Sequence, residues 1–205
     1  MTPSQAINGA LRKLPAWTVY IVCTIYVAWQ FWLALNRMGP YFAEPINILE
    51  RAYGELGLKL LVLGLLVTPL RRWTGVNLIK FRRAIGVSAF FLVLAHFCVW
   101  ALLDVQTWER VWTEIVKRPY VTVGMFAFLM LIPLALTSNN KAVRKLGPIR
   151  WRRLHKLTYP AAILAGVHYL WLVKGFQVEP IIYLTIILTL VLLRYVPFGG
   201  QKQPT

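Results

Sequence analysis

Apolar residues in this chain fall in blocks rather than stripes, and several blocks approach the ~20 residues an α-helix needs to cross ~30 Å of hydrocarbon. Six are readable, at residues 15–35, 56–70, 84–103, 120–136, 154–173 and 181–195. The second is the shortest. It carries Lys59, whose stem can snorkel to the interface, and it closes at TPLRRW, where Pro69 and the Arg71–Arg72 pair stop it. With 58% hydrophobic residues in 205, the pattern predicts an all-α integral membrane protein. One bundle of six transmembrane helices (15–195) is expected between a cytoplasmic leader (1–14) and a cytoplasmic tail (196–205). The first block is too long for a signal-peptide core and no small-residue cleavage site follows it, so no cleavable leader is expected.

The segments between blocks are polar. Residues 36–55 read as a loop, with Gly39, Pro40 and Pro45 and the acids Glu44, Glu50 and Glu55. Residues 71–83 and 138–153 are basic connectors, the second with turn signals at Asn139–Asn140 and Gly147–Pro148. In 104–118, Val105, Trp108, Val111, Trp112 and Ile115 recur at helical spacing, which predicts a helix lying on the membrane surface or on the bundle. Residues 175–180 form a tight return.

A net charge of +16 would suggest nucleic acid in a soluble chain, but here the charges are segregated. Leader, basic connectors and tail, with their flanking residues, hold sixteen of the 23 Lys and Arg and no acid. The other side holds seven basic residues and all seven acids. Six spans put both termini on one side, and the positive-inside rule makes that side the cytoplasm. The cationic face suits anionic lipid headgroups, or docking of a soluble electron donor. Cys23 and Cys98 lie in separate blocks and read as packing thiols, supporting neither a disulfide nor a metal site.

All three histidines lie in or at the edge of an apolar block, where an ionisable side chain is costly and so a functional candidate. Block three runs outward from Arg83, which puts His96 thirteen residues, or ~20 Å, along it. Block five starts near Arg153, which puts His168 fifteen residues, or ~22 Å, along. The two share one level in the outer half of the membrane, as a bis-histidine haem requires. Ala95, Ala165 and Gly166 beside them would leave space for a flat macrocycle. His155 lies thirteen residues before His168, ~20 Å away and too far to share one metal. Three readings stay open for it: a second haem with an unusual or missing partner ligand, contact with a flavin, or an interfacial hydrogen bond. Each histidine also has a structural reading, as polar glue between helices. No phosphate loop, HExxH motif or nucleophile elbow is present, and every acid lies outside the apolar blocks, so no catalytic residue is assigned.

The runs TPLRRW, RRAIGVSAFFLVLAHFCVWALLD, KRPYVTVGMFAFLMLIPLALTSN, KLGPIRWRRLHKLTYPAAILAGVHYLWLVK and YLTIILTLVLLRY, in this order across residues 15–195, resemble the MsrQ (YedZ) family. That family is the haem-binding membrane subunit of the bacterial MsrPQ methionine sulfoxide reductase system, within the ferric-reductase-like transmembrane group. The resemblance implies a multi-pass protein of the bacterial inner membrane with b-type haem and FMN. Electrons would come from the quinone pool or a cytoplasmic flavin reductase. They would pass outward to MsrP, a periplasmic molybdenum-cofactor reductase that repairs methionine sulfoxide in envelope proteins. This makes the chain an electron-transfer subunit rather than the site of substrate reduction. His96, His155 and His168 match the family's three histidines as cofactor and metal ligands. Compared with the related oxidase cores, block three lacks a second histidine and no soluble NADPH-binding domain is seen, which disfavours a two-haem ladder and calls for an external donor. Arg118, in the outer KRPY run, is a candidate partner for haem propionates or simply a solvated charge. MsrP would dock on the outer loops, around 104–118. The rival readings are a ferric or quinone reductase using the same haem, and a non-redox membrane protein with structural histidines.

Overall fold

A computed structural model describes residues 2–173 and 175–194. The expected tail 196–205, the end of block six at Tyr195, and Lys174 lie outside the described residues. The chain runs through α1 (Pro3–Lys13), α2 (Thr18–Leu35), α3 (Pro45–Thr74) and α4 (Arg82–Cys98). The last continues as a π-helical stretch, Val99–Val105. Then follow α5 (Trp108–Lys117), α6 (Pro119–Leu136), α7 (Asn140–Leu154), α8 (Thr158–Leu172) and α9 (Val178–Leu192). No strand occurs among the described residues.

Four stretches are long and apolar enough to cross a membrane: Thr18–Leu35, Pro45–Thr74, Ile79–Val105 and Pro119–Leu136. The last two expected spans are represented by α8 and α9, each 15 residues long. Outward-facing side chains such as Val22, Ile25, Phe91, Phe126 and Leu192 are apolar and exposed, as a lipid-facing surface requires.

Within the leader, Pro3–Lys13 is helical: Thr2 and Gln5 form a reciprocal capping box that starts α1. Asn8 and Lys80 then tie α1 to the 75–80 turn, Asn8 through Gly75 and Asn77, Lys80 through the carbonyls of Arg12 and Leu14. Three expectations are corrected. The expected 36–55 loop is helix from Pro45 onward, so α3 is 30 residues long, or ~45 Å, and projects well beyond a ~30 Å core. Pro69 does not end α3. It removes the N–H that Leu65 O would accept four residues on, and the Arg194 guanidinium donates to that carbonyl instead, at 2.6 Å. The helix ends at Gly75 in a left-handed conformation (φ 76°). The second basic connector is also largely helical, as α7, with a break at Gly147 (φ 74°).

α3 is central. Its Leu58 and Leu65 pack with Ala162 of α8 and Ile187 of α9. Leu61 meets Ala89, Leu131 and Ala161 on α4, α6 and α8, while Leu49 and Tyr53 join Ala34, Leu92 and Val99 on the α2 and α4 side. Small residues let these backbones approach: a Cβ on Gly57 would lie 3.0 Å from Val93 Cγ2.

Candidate functional site

His96 near the end of α4 and His168 on α8 come together between the helices, ring centroids 6.3 Å apart and ring planes crossed at 75°. Each ring is held from behind. His96 Nδ1 donates to Glu50 O on α3 at 2.9 Å. His168 Nδ1 donates to Tyr120 O on α6 at 2.7 Å. A carbonyl can only accept, so the proton sits on Nδ1 in both rings and both Nε2 atoms keep their lone pairs. Metal-binding histidines characteristically donate their other ring N–H in this way.

Among the described residues no group of three or more His, Cys, Asp or Glu side chains is placed to hold a metal ion. Two imidazoles therefore suit a metal that brings its own remaining ligands. A first-row metal at about 2 Å from each Nε2 sets two imidazole centroids about 6 Å apart, which the 6.3 Å separation matches.

Above this pair, at the end holding the acids, lies a polar cavity of about 310 Å³. Glu50 and Tyr120 line it, together with Arg51, Asp104, Arg110, Glu114 and Arg118. Arg118 is engaged by Glu114 and by the Tyr120 hydroxyl. Arg51 and Arg110 form no hydrogen bond or ion pair with the described residues. α5, the helix expected from its periodicity, lines one side of the cavity. Arg110, Glu114 and Arg118 recur four apart on the cavity side, Val111 is buried, and Trp108 and Trp112 are 70% and 69% exposed.

His155 stands apart, in a short 3-10 turn before α8. Its Nε2 bonds Thr137 Oγ1 at 3.1 Å, and its ring stacks on Trp151 at 3.9 Å. Trp151 Nε1 donates to Thr137 O, closing a three-residue knot at the basic end, with Arg82 as a charged neighbour. Gly166, expected to make room beside His168, faces α9 instead: its added Cβ would meet Leu184 and Ile187 side chains at 3.0 and 3.2 Å. The reading from sequence missed Glu50 and Tyr120 because they act through backbone carbonyls, which any residue supplies. Arg51 and Arg110 were not singled out, because residues 36–55 read as a loop and Arg118 was chosen among the three basic residues of 104–118.

The family described as "Ferric reductase like transmembrane component" matches residues 52–166. The chain is 42% identical over 191 residues to proteins of Brucella ovis, Brucella canis and Brucella abortus, each described as "Protein-methionine-sulfoxide reductase heme-binding subunit MsrQ". Each match covers 92% of this chain and 85% of the relative. No solved structure matches. By the span of that match and the extent of the identity, the chain belongs to the MsrQ family, within the ferric-reductase-like transmembrane proteins.

Proposed function

We propose that the chain is a membrane haem protein that carries electrons outward across the bacterial inner membrane to a periplasmic molybdopterin reductase of the MsrP type, for repair of methionine sulfoxide. The observation that carries the reading is the His96–His168 pair, with both Nδ1 atoms spent on carbonyls and both Nε2 atoms free. That donor set fits a b-type haem, and the relatives are described as haem-binding subunits. When bound, the haem supplies one-electron iron chemistry.

The protein's part is placement. His96 and His168 would hold the iron through their Nε2 atoms, Glu50 O and Tyr120 O hold the rings, and the apolar clusters around Leu61, Leu92 and Leu131 keep water out. The cavity above supplies cations for the acidic edge of the macrocycle. Arg51 and Arg110 are assigned that role ahead of Arg118, whose guanidinium is already engaged.

Direction follows from charge. α1, the 75–83 turn and α7 gather the basic residues at one end and are tied to one another, Arg83 to Asn140 among them. We place that end, with both termini, in the cytoplasm, and count α8 and α9 as the fifth and sixth spans. Electrons enter there, from the quinone pool or a cytoplasmic flavin reductase. His155 and Trp151 mark the contact region, with Arg82, Arg152 and Arg153 as nearby cations suited to an anionic donor or to the phosphate of FMN. The docking face for the acceptor is α5, through Trp108 and Trp112.

Dithionite-reduced protein, freed of excess reductant, tests this when mixed with purified MsrP-type reductase and methionine sulfoxide. The haem signal should reoxidise, more slowly in Trp108→Ala and Trp112→Ala with haem content unchanged. A signal that stays reduced with both present would sink the assignment of acceptor. A ferric salt or quinone that reoxidises the protein faster than the reductase does would favour the reductase alternative.

A further inference from the structure

The two histidines are held by the same local device on two different helices. A Cβ built on Gly54 of α3 would meet His96 and nothing nearer: Nδ1 at 3.0 Å, Cε1 at 3.3 Å and Cγ at 3.5 Å. A Cβ on Gly124 of α6 would meet His168 the same way and more tightly, with Nδ1 at 2.7 Å and Cε1 at 2.9 Å. In each case the carbonyl that accepts the imidazole N–H lies four residues earlier on that helix, Glu50 before Gly54 and Tyr120 before Gly124.

The spacing has a physical reason. In an α-helix every Cα–Cβ bond tilts toward the N-terminus, so a side chain covers the turn before its own Cα. A Cβ at the fourth position would lean over that turn and crowd a ring approaching the carbonyl from a neighbouring helix. Glycine leaves it open, and the carbonyl's second lone pair takes the imidazole proton. The ring then lies flat against bare backbone.

We propose that Gly54 and Gly124, with the carbonyls of Glu50 and Tyr120, are positioning residues. They form two matched clamps that set the tautomer and the crossed orientation of the axial histidines. The proposal rests on the haem reading above. Helix-packing glycines look different: the atoms facing Gly57 belong to Val93 and Leu92, and those facing Gly166 belong to Leu184 and Ile187. Gly86 has nothing within 4 Å and serves as the control.

The test uses the full chain with Gly54→Ala, Gly124→Ala and Gly86→Ala. It reads haem retained per chain, far-UV circular dichroism, and the low-temperature paramagnetic resonance of the ferric form, whose anisotropy reports the angle between axial imidazole planes. Wild type should show the strongly anisotropic low-spin signal of crossed rings, and Gly86→Ala the same. Gly54→Ala should keep haem with a shifted signal. Gly124→Ala should weaken haem retention by at least about tenfold at unchanged helicity, since the overpacked contact falls on the ligand itself. If Gly124→Ala fails to fold, the shift in Gly54→Ala decides. Haem bound to wild type, with both alanine variants matching it in retention and signal, would overturn the clamps and leave the haem reading standing. A wild type that binds no haem would overturn both.

Discussion

Replacing Thr137 by valine tests what His155 does at the inner end. The Thr137 hydroxyl donates to Pro133 O at 2.6 Å, so it can only accept from His155 Nε2. Valine keeps the shape and removes the acceptor. The loss is one neutral hydrogen bond, about 0.5–1.5 kcal/mol, plus part of the cost of an unpaired imidazole N–H. Because the ring is only half-buried, water recovers some of that, and about 1–2 kcal/mol of destabilisation remains. For a chain of this size the melting temperature should fall by about 2–4 °C per kcal/mol, read by circular dichroism in detergent. His155→Ala should cost more, since it also removes the stack on Trp151, and the double variant should be less than additive by about 1 kcal/mol. The haem spectrum should survive in all three. A haem signal lost in Thr137→Val and His155→Ala together, at unchanged helicity, would refute this reasoning and make His155 an iron ligand steered by Thr137.

Other perturbations follow from the same geometry. Arg51→Gln combined with Arg110→Gln should lower the haem reduction potential by tens of millivolts, because two cations that favour the reduced form leave the cavity; an unchanged potential in a redox titration would exclude them as partners of the propionates. Arg194→Met should destabilise the fold by about 1.5–3 kcal/mol through the orphaned Leu65 carbonyl and leave the haem spectrum alone; an unchanged melting temperature would show that water replaces the guanidinium.

The bundle was legible where hydropathy alone decides. α2 and α6 begin and end within a few residues of their apolar blocks, and the Trp108–Ile115 periodicity marked α5. It was not legible where a partner distant in sequence decides. Pro69 reads as a stop unless Arg194 is known to reach Leu65 O. Glu50 and Arg51 read as loop because a helix that rises beyond the hydrocarbon tolerates charge, and these two line a cavity. For the site, matching depths pointed to His96 and His168, which the structure brings together. The carbonyls and glycines behind them left no signal, since a backbone acceptor has no residue type and a glycine in a membrane helix is ordinary packing by default.

The measurement closest to the central claim is a dithionite-reduced minus oxidised spectrum of the purified full chain beside His96→Ala and His168→Ala. The account expects a b-type signal in wild type that is lost in both variants while helicity is kept. A wild type that stays colourless after haem supplementation, or variants that keep the full low-spin signal, would contradict it and return the two histidines to holding helices together.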